Sequence, residues 1–147
     1  MKMHEKKGQR NMRVFLDTCV ILDALENRKP FDEDAQQIVL LIAGNMMEGY
    51  ISATSITDIY YLYRKYTHDS VLARQSIQKL LSFMKIADIT ESDCLGAVFS
   101  GTKDLEDEVQ MEMAKRLSPD YIITRNIKDY QGSSVPAILP SDFLKII

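Results

Sequence analysis

Apolar and polar positions along this chain switch between a period of two and a period near three and a half. "RVFLD" is a short apolar run closed by a charge, which predicts a buried strand over 13–17. A short helix is expected over 20–26. "RKPFDED" carries turn and helix-start chemistry, with Asp32 or Asp34 as the cap. Beyond it, Ala35, Ile38, Val39, Ile42 and Met46 form one helical stripe. A second short strand is expected at 49–53. In "SITDIYYLYRKYT", Ile59, Leu62, Tyr63 and Tyr66 keep the helical period, as do Leu72, Ile77, Leu80 and Leu81 within 69–83. "KIADIT" predicts a short strand and 91–100 a helix. "TKDLEDEVQMEMAKRL" is the longest amphipath, with Leu105, Val109, Met113 and Leu117 recurring every fourth position. "DYIITRN" predicts a strand ending in polar residues. "VPAIL" predicts a last strand at a sheet edge, because Pro136 cannot donate to a ladder. "PSDFLKII" closes the chain as a short helix.

Strands alternating with helices predict an α/β fold whose parallel sheet is covered on both faces. No linker, repeat or low-complexity segment interrupts the pattern. Residues 12–147 are therefore expected to form a single domain, behind a flexible basic arm over 1–11. In such sheets ligands bind beyond the carboxyl ends of the strands, where strand order reverses.

Composition narrows the function. The 147 residues are 46% hydrophobic and 27% charged, which suits a packed core and excludes a disordered chain. The net charge of -3 and pI near 5.4 exclude a broadly basic surface, so a nucleic-acid partner needs a local positive patch. Cys19 and Cys94 sit in apolar contexts and read as reduced core thiols. His4 and His68 lack ligand neighbours at zinc spacing. No apolar stretch approaches the roughly 20 residues that span a bilayer, and the first residues lack a signal-peptide core. A cytoplasmic protein without membrane contact is expected.

The acids carry the chemistry. Asp17 ends the first strand. Asp58 lies one turn into the helix after the second, and Asp104 and Asp107 open the long amphipath. Asn126 and Asp129 follow "YIIT". Capping explains several of them singly: Ser55 with Asp58, Asp104 with Asp107, Asn126 with Asp129. Asp17 has no such explanation, since Thr18 caps without a charge. Taken together, parallel strands bring Asp17, Asp58 and Asn126 to one sheet edge. Carboxylates meeting there repel unless a cation neutralises them, and all-oxygen ligands suit Mg²⁺ or Mn²⁺. Such an ion activates water and orients a phosphodiester.

At these residues the sequence resembles the PIN-domain family of metal-dependent nucleases. "FLDTCVILD", "ISATSITDIYYLYRK" and "KDLEDEVQMEMAKRLSPDYIITRNIKDY" carry the likeness, in family order, from Met12 onward. The resemblance implies a three-layer α/β/α sandwich with a central, mostly parallel sheet of about five strands. It implies Mg²⁺ or Mn²⁺ at an acidic pocket and hydrolysis of RNA. By position, Asp17, Asp58 and Asp107 are the metal-site acids, with Asp104 adding charge, and Asn126 takes the fourth catalytic position. Thr18, Thr124, Arg125 and Lys128 are expected to contact substrate, and Lys103, Arg64 and Lys65 are further cations near the rim. A homodimer and an antitoxin partner, as in type II toxin–antitoxin pairs, are implied as well. Three departures stand out. Asp58 replaces a usual glutamate, Asn126 a frequent aspartate, and Cys19 a common asparagine. Asp104 and Asp129 are placed to restore charge. The alternative is a PIN-like module that binds nucleic acid or protein without cutting. A haloacid-dehalogenase-type phosphatase needs a second aspartate two residues after the first, where Cys19 stands. A receiver domain needs a lysine after a later strand, which "YIITRN" lacks.

Overall fold

The computed structural model describes residues 11–100 and 104–147. Residues 1–10 of the basic arm, with His4, and Lys103 at the start of the expected amphipath lie outside the described residues.

The elements run β1 (Arg13–Leu16), α1 (Thr18–Leu25), α2 (Asp32–Ala43), β2 (Glu48–Ser52), α3 (Ala53–Thr67), α4 (Ser70–Leu81) and β3 (Lys85–Ala87). They continue with α5 (Glu91–Ser100), α6 (Leu105–Leu117), β4 (Tyr121–Ile123), a 3₁₀ turn (Ile127–Tyr130), β5 (Ala137–Ile138) and α7 (Pro140–Ile146). The sheet has five strands in the order β3-β2-β1-β4-β5, and every pairing is parallel. β5, after Pro136, is the edge strand that the proline demands.

Alternation along each strand builds two cores. Val14 and Leu16 of β1 face one way, with Ile51 and Ile123, into a core shared with α1, α2, α3, α4 and α7. Phe15 and Ile122 face the other way, against Met113 and Ala114 of α6 and Tyr130 of the 3₁₀ turn. The result is the three-layer α/β/α sandwich, with helices on both faces of the sheet.

Several local expectations give way to tertiary context. α2 begins at Asp32, whose Oδ2 is 2.9 Å from Lys29 Nζ, and neither Asp32 nor Asp34 caps it. α3 is capped by Ser52, whose hydroxyl accepts from Thr54 N–H at 3.2 Å, so Ser55 with Asp58 is not its capping box. Asp104 does cap α6, accepting from Asp107 N–H at 3.2 Å. Both cysteines are free thiols, but only Cys19 packs against the core, and Cys94 is exposed. Leu62, Tyr66 and Leu105 are exposed despite their helical period, and Leu105 sits in the first turn of α6.

Gly49, level with Val14 in the ladder, is required by α2. A Cβ there falls 2.5 Å from Ile42 Cδ1 and 3.0 Å from its Cγ2. Ile42 is buried and β-branched, so it has little room to move. Gly49→Ala is expected to cost about 1–3 kcal/mol through overpacking, seen as a lower urea midpoint. An unchanged midpoint would show that α2 shifts freely.

Candidate active site

β1 lies between β2 and β4, so the chain reverses its strand order beside β1. That is where an open parallel sheet leaves a crevice at its carboxyl edge. Asp17 stands there. Its N–H donates to Ile123 O at 3.0 Å, extending the β1–β4 ladder by one bond. It occupies the N-cap position of α1 in extended backbone, yet its carboxylate makes no cap hydrogen bond. Instead Oδ2 accepts from the Thr124 hydroxyl at 2.8 Å. Thr124 Oγ1 in turn accepts from Asn126 N–H at 2.9 Å. Thr124 is fully buried, so this relay ties the carboxylate after β1 to the loop after β4 across the reversal point.

Acids of other elements act on one another here electrostatically. Burial pushes the Asp107 carboxyl up to about 6, and the negative charges of Asp129, Asp104, Asp17 and Glu106 add to the rise. Glu106 is raised too, by burial first and then by Asp58, Asp104 and Asp17. Acids of β1's edge, α3, α6 and the 3₁₀ turn therefore share one electrostatic field. Beneath them Tyr130 is buried, and its hydroxyl donates to Gln110 Oε1 at 2.5 Å. Burial and the nearby Asp17 and Asp107 push that phenol far up, so it stays protonated. Burial and Asp17 likewise raise the Cys19 thiol.

The donor set is oxygen throughout, which suits a hard divalent cation. Among the described residues, no three Asp, Glu, Cys or His side chains close on one point as a ligand group.

The candidate substrate contacts divide. Thr18 Oγ1 is 2.6 Å from Ser55 Oγ, a hydrogen bond joining the starts of α1 and α3. Asn126 and Lys128 are exposed at the rim. Arg125 is committed elsewhere: Nε donates to Asp23 Oδ2 at 2.6 Å and an Nη to Oδ1 at 3.1 Å. Its guanidinium also lies 4.1 Å from the Phe31 ring centre. Asp23, buried to 1% exposure, is thus a structural anchor for the loop after β4. Sequence reasoning overlooked Glu106 and Tyr130. The signal for Glu106 was its position beside Asp107 in the first turn of α6; Tyr130 carried none.

The raised Asp107 carboxyl makes stability depend on pH. The folded chain holds this proton more tightly than the unfolded chain, whose ordinary value is 3.8. Its contribution is therefore complete below about pH 4 and is lost as pH rises through about 6. With EDTA present, Asp107→Asn is expected to gain urea resistance relative to wild type across that window. A constant difference between the two proteins from about pH 4 to about pH 7 would contradict the shift.

Comparison with known proteins bears on the fold and the family. A family model described as PIN domain matches residues 13–128. Ribonuclease VapC1 of Aquifex aeolicus (strain VF5) is 24% identical over 136 residues, covering 89% of this chain and 92% of its own. The structure of VapBC2 from Rickettsia felis bound to a DNA fragment from its promoter superposes with a TM-score of 0.65 at 16% identity, over 87% of this chain and 98% of that one. A toxin–antitoxin complex from Klebsiella pneumoniae gives 0.63 at 21% identity, over 86% and 97%. The match over 13–128, carried on a five-stranded parallel sheet, shows that this chain belongs to the PIN domain family.

Proposed function

We propose that the protein is a metal-dependent endoribonuclease that hydrolyses RNA phosphodiesters at the carboxyl edge of its sheet. The observation that carries the reading is Asp17 at the strand-order reversal, its carboxylate held by the buried Thr124 hydroxyl at 2.8 Å, and neighbouring acids add to the burial that raises Asp107 and Glu106. Nothing about capping asks for Asp17 there.

Asp17 and Asp107 would hold Mg²⁺ or Mn²⁺, with Asp58 and Asp104 contributing through water. The bound ion supplies Lewis acidity toward the phosphate and lowers the pKa of a bound water. The chain's own residues do the rest. Thr124 aims the Asp17 carboxylate through its hydroxyl. Protonated Tyr130 supports Gln110 beneath the acids without adding charge. Asn126 at the rim offers an amide to a phosphate oxygen, and Lys128 offers a charge. Thr18, bonded to Ser55, sets the entry of α1 beside Asp17.

We propose with it a toxin role in a type II toxin–antitoxin pair, which the likeness to VapBC2 and to the Klebsiella pneumoniae complex supports. It brings with it a protein antitoxin, a homodimer and a cytoplasmic site of action. Among the described residues no helix is long and apolar enough to cross a membrane. A PIN module that binds without cutting is the second reading, favoured by the absence of a closed three-acid ligand group among the described residues.

The test is cleavage of end-labelled single-stranded RNA in Mn²⁺, in Mg²⁺ and in EDTA. Internal cuts that need the ion support the nuclease. Binding without cuts in either ion would favour the second reading.

A further inference from the structure

The cation expected to hold the RNA phosphates, Arg125, is forked onto buried Asp23. Arg28 beside it is paired with Glu26. Arg64 and Lys65 on α3 have no ion pair among the described residues. They border an open hollow of about 710 Å³ with Tyr60, Tyr61, His68 and Ser70.

We propose that this hollow is a nucleotide subsite for the RNA strand leaving the acidic site, with a base stacked on Tyr61 and phosphates held by Arg64 and Lys65. The inference rests on RNA being the substrate, as argued above.

Helix geometry connects the two places. At 3.6 residues per turn, Lys65 lies within about 20° of Asp58 around α3 and about 10 Å farther along it. Tyr61 falls between them along the axis, about 60° to one side of Asp58. A strand laid along this face passes from acid to aromatic to cation. Past Ile59, Tyr60 still packs against the core, while Tyr61, Leu62, Arg64, Lys65 and Tyr66 are exposed. Tyr61 is 63% exposed, and its ring stands edge-on to Tyr60 at 5.4 Å, which steadies it. Arg74 of α4 lies 5.7 Å from the centre of the Tyr60 ring and adds a third positive charge. The nearest acid in sequence, Asp69, is engaged in capping α4 through Val71 and Leu72 N–H. In a chain of net charge -3, this is a local positive patch with an exposed aromatic face, the combination that binds single strands without reading sequence.

Binding is measured by anisotropy of a labelled oligoribonucleotide with the full chain in Ca²⁺, over a salt series, and cleavage separately in Mn²⁺. Tyr61→Ala is expected to weaken binding roughly 5- to 100-fold, and Tyr61→Phe to restore it. Arg64→Gln with Lys65→Gln is expected to lower the salt slope by about 1.4, two single-strand phosphate contacts. All these side chains are exposed or half-buried, so melting temperatures should hold. The proposal is overturned if wild type fails to bind, or if the variants bind with unchanged affinity and slope. It is also overturned if they change only the oligomeric mass, which would make the face a subunit contact. RNA that binds through Tyr61 and Lys65 but is never cut would sink the nuclease reading and leave the subsite standing. RNA that is cut equally by wild type and variants would do the reverse.

Discussion

Asp17→Asn is expected to abolish Mn²⁺-dependent RNA cleavage while leaving the fold intact. The substitution removes one charge and keeps the shape, and an Asn oxygen still accepts from the Thr124 hydroxyl that now bonds Asp17 at 2.8 Å. What disappears is the carboxylate that no helix cap needs. A catalytic metal stabilises developing charge by several kcal/mol, so losing its anchor lowers the rate by about 100-fold or more. Stability in EDTA should stay level or rise, because Asp17 is one of the charges that push up Asp107 and Glu106. Equal cleavage by wild type and variant, at matched folded fractions, would remove Asp17 from the mechanism.

The largest expected stability effect lies at Arg125. Arg125→Met leaves the Asp23 carboxylate buried at 1% exposure without its two-pronged partner. Arg28, 3.9 Å away and already paired with Glu26, does not replace that fork. Breaking a buried pair by removing one member costs about 3–5 kcal/mol. For a chain of this size that lowers the melting temperature by roughly 10 °C. The double variant Asp23→Leu with Arg125→Met should recover much of the loss, since no charge is then stranded. If Arg125 instead served RNA phosphates, the single variant would keep its melting temperature and weaken RNA binding with a smaller salt slope.

Arg125 also shows where sequence reading stops. "TRN" marks the loop, but the partner that claims the guanidinium is 102 residues away, and nothing local distinguishes an anchored arginine from a free one. The sheet was far more legible. Five short apolar runs, Pro136 at the edge and the alternation of strands with helices were enough for the layers and the parallel pairing. Periodicity failed on α3: Leu62 and Tyr66 keep the spacing of Ile59, yet only Ile59 is buried. Near the sheet edge, the place of Asp17 at the end of β1 was legible from the apolar run before it, and the cap at Asp104 from its spacing to Asp107. Glu106 was not, because adjacent helix positions point about 100° apart and only the packing of α6 shows that both Glu106 and Asp107 reach the field. Tyr130 depends on a 3₁₀ turn that apolar spacing does not announce.

That the acids form a divalent-metal site is tested most directly by melting temperature with and without millimolar Mn²⁺, in wild type and Asp17→Asn side by side. A ligand of the native state raises its stability in proportion to occupancy. A rise in wild type that is lost in Asp17→Asn is the expected result; no rise, or an equal rise in both proteins, would contradict the metal site.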